Sequence, residues 1–128
     1  MTEAQLRAAC ALRLGDDGLI LSHRLAEWSS LAPELEEDVA LTNIALDLLG
    51  QARTLLTHAG ELEGRGRDED GLAYLRDERE FVNCLLVEQE NGDFAMTIAR
   101  QLLYCTHQLG LLEGLLGSTD PTLAAVAA

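Results

Sequence analysis

The sequence contains no lysine, and all nine of its basic residues are arginine. It has two prolines, and aromatic residues make up only 4% of it. A core with so few rings must be built mostly from Leu and Ala. Both form helices well, and neither is β-branched. With Val, Ile and Thr scarce as well, the composition argues against a β architecture and predicts an all-α protein. No apolar run approaches the roughly 20 residues that a bilayer span needs. No basic-then-apolar leader opens the chain. No CxxC occurs, and the three cysteines, Cys10, Cys84 and Cys105, are odd in number and far apart. That spacing excludes a disulfide framework and a structural zinc site. Reduced, mostly buried thiols in a cytoplasmic protein are expected instead.

Acidic residues outnumber basic ones by 22 to 9, which gives a formal net charge of −13. Such a surface repels phosphate backbones and anionic headgroups, so nucleic acid and membrane are excluded as partners. The charge is read as a solubilising surface; a docking face for a basic or Arg-rich partner is the alternative.

The 128 residues are 48% hydrophobic, enough for one domain with a real core. Leu14, Leu21, Leu25 and Trp28 recur at helical spacing in a first segment, Thr2 to Leu31. Gly15-Asp16-Asp17-Gly18 interrupts it, and either breaks the helix or weakens one long helix. A second helix is expected from Pro33, with Pro33 in its first turn and Glu34, Glu36, Glu37 and Asp38 complementing the dipole. It runs to about Leu62, so apolar that more than one face must be buried. A charged loop, Glu63 to Gly71, precedes a shorter helical stretch spanning Leu72 to Leu86. Asn91-Gly92-Asp93 is the strongest turn signal, with Asp93 as a helix cap. Phe94, Ile98, Leu102, Cys105, Leu109, Leu112 and Leu116 then form one stripe. Cys84 and Cys105 fall on apolar stripes and are expected in the core. Asp120-Pro121 opens a further apolar helix. The chain is therefore expected to be the N-terminal part of a longer protein.

Several stretches carry a resemblance. They are Leu14-Gly15-Asp16-Asp17, Leu21-Ser22-His23-Arg24-Leu25-Ala26-Glu27-Trp28, Asn43 to Arg53, Arg76-Asp77-Glu78-Arg79-Glu80-Phe81, Leu86-Val87-Glu88-Gln89, and Asn91-Gly92-Asp93-Phe94-Ala95 with Ile98-Ala99-Arg100-Gln101. In this order they resemble the C-subunit family (PaaC) of bacterial ring 1,2-phenylacetyl-CoA epoxidases, over nearly the whole chain. The resemblance implies a ferritin-like helical bundle, here a partial domain over residues 1–128. It implies a place in a multicomponent oxygenase that epoxidises the ring of phenylacetyl-CoA. It also implies a partner, the A subunit, which carries the di-iron centre.

Ferritin-like di-iron sites take a Glu from each of two helices and Glu-x-x-His from the other two. The catalytic relatives resemble Asp-Glu-x-Gly-His where this chain has Asp47-Leu48-Leu49-Gly50-Gln51. On that pattern Leu48 stands for the ligand Glu and Gln51 for the ligand His. An aliphatic chain cannot bind iron, and a neutral amide replaces imidazole poorly. The first-helix carboxylate falls near Gly18, with Asp17 beside it. Leu48 and Gln51 are thus degenerate ligand positions, and no metal, cofactor or catalytic residue is expected. Glu27 and Asp47 are read as hydrogen-bonded to Arg24, Arg53, Gln51 or a neighbouring helix. His23, His58 and His107 are read as surface or satisfied core residues. Leu48 and Leu49 are expected in the core. The favoured reading is a non-catalytic structural subunit of the epoxidase that also tends to self-associate. The alternatives are a free-standing ferritin-like metalloprotein with split ligands, or an inactive gene fragment.

Overall fold

The computed structural model describes residues 1–128 and contains only helices and connecting turns. Thr2 caps the amide of Gln5, and Gln5 caps the amide of Thr2 in return. This reciprocal box starts α1, which runs Glu3–Ala26. The Gly-Asp-Asp-Gly insert does not break it. Gly15 and Gly18 stay helical because they are where α1 touches its neighbour α2, Leu35–Glu63. A Cβ on Gly15 would lie 2.9 Å from the Leu56 side chain, and one on Gly18 would lie 3.2 Å from the Leu48 carbonyl oxygen. The glycines therefore trade helix propensity for close approach of two long helices.

The first apolar segment leaves the helix at Ala26, earlier than its hydrophobic pattern suggests, and turns through Ser30 at positive φ. Pro33 does not occupy the first turn of α2; it lies before the cap residue Glu34. The acidic first turn, Glu36, Glu37 and Asp38, is present as expected. Gly64, left-handed at φ 69°, ends the helix.

The stretch after the loop is not one helix. It divides into α3, Glu69–Tyr74, a 3₁₀ turn at Glu78–Glu80, and α4, Leu85–Glu88. The cause is a buried ion pair. Arg76 turns inward and meets Asp16 of α1 with both terminal nitrogens, the two side chains being 2% and 0% exposed. Arg76 also donates to the carbonyls of Leu72 and Glu80, and its guanidinium stacks 4.1 Å above the Phe81 ring. Asp16 accepts in addition from the Val82 amide at 3.0 Å. A regular helix could not bring those carbonyls and that amide to one place.

Asn91-Gly92-Asp93 makes the expected turn, and Asp93 caps α5, Phe94–Leu115, through the Met96 amide. Asp120 caps α6, Pro121–Ala127, through the amides of Thr122 and Leu123, with Pro121 in the first turn.

The core forms two clusters along the α1–α2 hairpin. One joins Ala11, Leu14, Leu19, Ala52, Leu55, Leu56, Ala59, Leu72 and Leu123. The other joins Leu21, Leu25, Leu41, Ala45, Leu48, Val87 and Tyr104. Leu48 is buried as expected, but Leu49 is 43% exposed, because it borders an unfilled groove between α2 and the Ser22–Ala26 stretch of α1. Cys84 and Cys105 are also exposed, and Cys10 is half-buried; all three are free thiols. Cys84 precedes a helix of four residues rather than lying within one. Cys105 lies on α5, which buries Thr97, Arg100, Gln101 and Tyr104 and turns Ile98, Leu102, Leu109 and Leu116 outward. Its buried face is the polar one.

Two outcomes test this packing. Asp16→Ala strands the buried Arg76 charge and should cost about 3–5 kcal/mol in urea denaturation, whereas Asp16→Ala with Arg76→Met should lose clearly less than the two single changes added. A cost near zero for Asp16→Ala would contradict the pair's role. Gly50 has nothing within 4 Å of a built Cβ. Gly50→Ala should therefore stabilise by roughly 0.5–1 kcal/mol through helix propensity, and Gly18→Ala should not.

Candidate functional site

Gly18 of α1 and Leu48 of α2 meet where the two helices pack together. A Cβ on Gly18 would lie 3.2 Å from the Leu48 carbonyl oxygen, so a side chain there requires the two helices to shift by a few tenths of an ångström. Asp17, its neighbour, is already engaged: it accepts the Cys84 amide at 2.7 Å. Burial raises the Asp17 pKa, and the bond from Cys84 offsets this only in part. Asp16 and Asp17 thus anchor the 76–84 segment to α1 rather than face a common centre.

On α2, Leu48 packs among Leu21, Leu25 and Tyr104. Gln51 is half-buried one turn further on and lines a cleft of about 480 Å³ with Gly50, Thr54, Pro121, Thr122, Ala125 and Val126. The structure therefore separates these two positions: one is core, the other faces α6. Asp47 is exposed and makes no hydrogen bond to Arg53 or Gln51. Glu27 is bonded as expected, to Arg24 at 3.2 Å and to the Asn91 amide at 2.9 Å.

The histidines do three different things. His23 and His107 are exposed. His58 is satisfied by Asp120, Nε2 to Oδ2 at 2.7 Å, a pair that ties α6 to α2. Nowhere do three His, Cys, Asp or Glu side chains converge as a metal site would require.

Sequence reasoning missed a polar cluster where α5 meets α1. Asn91 donates to the Arg24 carbonyl at 2.8 Å and accepts from Arg100 at 2.7 Å. Arg100 also reaches the Gln89 carbonyl at 2.9 Å. Thr97 accepts from the Trp28 indole at 3.0 Å and donates to the Asn91 carbonyl at 2.9 Å. Trp28 and Phe94 meet edge to face, 5.5 Å between centroids. Tyr104 lies further along the same face. Burial, reinforced by the nearby Asp17, pushes its phenol well above the ordinary range, so it stays protonated. The signal available in sequence was the polar run Thr97, Arg100, Gln101 and Tyr104 at steps of three, one and three, opposite the apolar stripe.

Within these residues the donor set does not suit a di-iron centre: one position is aliphatic, one is an amide, and the third is a glycine packed against backbone. The arrangement is suited to holding helices together. It defines an all-α bundle of the ferritin-like class whose centre is filled by packing. The family model described as phenylacetic acid catabolic protein matches residues 1–128, and the chain belongs to that family. It is similar to the C subunit of the 1,2-phenylacetyl-CoA epoxidase of Escherichia coli (strain K12), with 59% identity over 120 residues, which cover 94% of this chain and 48% of the relative. The chain thus spans about half the length of the curated relative it matches.

The His58–Asp120 pair makes a pH prediction. Burial acts to raise the Asp120 pKa, but the His58 bond and the Leu123 and Thr122 amides outweigh it and hold the carboxyl low. A carboxyl with a lowered folded pKa stabilises above its unfolded value, about 3.9, and that contribution is lost as pH falls through the folded value. Asp120→Ala should cost about 1–2 kcal/mol at neutral pH through the lost cap and pair. It should also flatten the fall in stability below about pH 4. A variant with an unchanged acid limb would contradict this.

Proposed function

We propose that the chain forms part of a non-catalytic structural subunit of a multicomponent phenylacetyl-CoA ring epoxidase, in aerobic phenylacetate degradation. Its role is to pair with and support the di-iron catalytic subunit of that oxygenase, in the cytoplasm. The similarity to a relative named as the C subunit of such an epoxidase supports this. The observation that carries the non-catalytic part is the contact of Gly18 with the Leu48 carbonyl. It gives the region where ligands would converge to helix packing. No helix is long and apolar enough to cross a membrane.

The same reading takes residues 1–128 as the N-terminal part of a ferritin-like domain. The outward apolar residues of α5, among them Leu102 at 67% exposure and Leu109 at 62%, support it. In a complete bundle such a stripe is covered by another helix.

Reconstitution with the catalytic subunit tests the proposal. The full-length form should co-purify with that subunit. Gln51→Ala should leave epoxidation of phenylacetyl-CoA within about twofold of the parent, since groups acting in the transition state typically contribute 10²-fold or more. Removal of a carboxylate ligand in the catalytic subunit should abolish it. Failure to co-purify, or a hundredfold loss on Gln51→Ala, would contradict the proposal.

A further inference from the structure

Helix α2 presents three faces. Leu41, Ala45, Leu48 and Ala52 are buried, on the side packed with α1. Gly50, Gln51 and Thr54 face α6 across the cleft described above. The third face carries Leu35, Val39, Thr42, Leu46, Leu49 and Arg53, at steps of four, three, four, three and four. That is a heptad seam, about 27 Å long at 1.5 Å per residue. It is open: Leu35, Val39, Leu46 and Leu49 are 75%, 51%, 60% and 43% exposed. Beside it lie Ser22, His23 and Ala26 of α1 and Ser29 of the turn that follows, none of them a large apolar residue, which leave a shallow groove of about 140 Å³ along Leu46 and Leu49. Between Asp38 and Arg53 the seam itself bears no charge, although the chain carries a formal net charge of −13.

We propose that this seam is a docking surface for a second copy of the same chain, with the two α2 helices antiparallel. The spacing is symmetric about residue 44. Antiparallel pairing sets Val39 against Leu49, Thr42 against Leu46, and Leu35 against Arg53 of the other copy. One seam therefore supplies both sides of an isologous contact. The charges select the orientation. The acidic first turn, Glu36, Glu37 and Asp38, lies at one end, and the single Arg53 at the other. Antiparallel pairing brings Asp38 of each copy to Arg53 of its mate and opposes the helix dipoles favourably. Parallel pairing stacks like charges at both ends. Arg53 already meets Glu69 through its Nε at 2.8 and 2.9 Å, which leaves its terminal nitrogens for a second acceptor. The proposal stands on this surface and does not depend on the epoxidase reading.

The outward stripe of α5 is the competing surface, and sedimentation of the chain at micromolar concentration separates the two. The parent should be a dimer. Leu46→Glu should be monomeric, weakening association roughly tenfold or more by burying an unpaired charge, with its helix content by circular dichroism unchanged. Leu102→Glu on α5 should remain a dimer. A cross-link reads the register without relying on Leu46→Glu folding. In a background of Cys10→Ala, Cys84→Ala and Cys105→Ala, a Thr42→Cys chain mixed with a Leu46→Cys chain and oxidised with diamide should give a mixed disulfide dimer. A monomeric parent would overturn the proposal, as would a dimer broken by Leu102→Glu but not by Leu46→Glu. So would preferential cross-linking of Thr42→Cys to itself. A monomer whose Leu46→Glu variant no longer binds the catalytic partner of the epoxidase would assign the seam to that partner instead, and also overturn it.

Discussion

The architecture depends on one buried ion pair. Asp16 and Arg76 are almost wholly removed from water, and such a pair repays its desolvation only when its remaining valences are also met. They are: Asp16 takes the Val82 amide, and Arg76 takes the carbonyls of Leu72 and Glu80 and the Phe81 face. Meeting those valences is what interrupts the helix after Tyr74. The chain must fold back so that residues 76–82 surround the pair. Asp17 extends the anchor to Cys84, and α4 and α5 are placed from there.

The same four residues explain why the bundle centre is filled. In Gly15-Asp16-Asp17-Gly18 the glycines bring α1 against α2, while the aspartates face the 76–84 segment. Helix packing and loop anchoring thus use all four positions of this stretch. On α2, Leu48 joins a cluster with Leu21, Leu25 and Tyr104.

The helices were legible because their punctuation is chemical: Asp93 and Asp120 as caps, Asn91-Gly92 as a turn, and an acidic first turn for α2. Leu48 was legible from its register. The 76–84 segment was not, since its conformation is set by a partner 60 residues away in sequence. Apolar periodicity misled at α5. Cys105 shares a stripe with Ile98, Leu102 and Leu109, and a lone helix with that pattern normally turns it inward. Here the opposite face is held by Asn91, Trp28 and the Tyr104 contacts, so the stripe points to solvent. Leu49 misled in a similar way. A helix with so many apolar residues reads as buried on more than one face, yet the flank holding Leu49 is open.

The proposed function turns on the helix-pair centre serving packing rather than metal chemistry. Metal content by mass spectrometry after expression in iron-rich medium tests it most directly, with Mössbauer spectroscopy of ⁵⁷Fe-grown protein to identify any iron found. Measured on the full-length form, separated from its catalytic partner, iron should fall well below one atom per chain, with no coupled di-iron signature. Stoichiometric iron with that signature would contradict the claim, and would mean that ligands reach the bundle centre despite Leu48 and the missing side chain at Gly18.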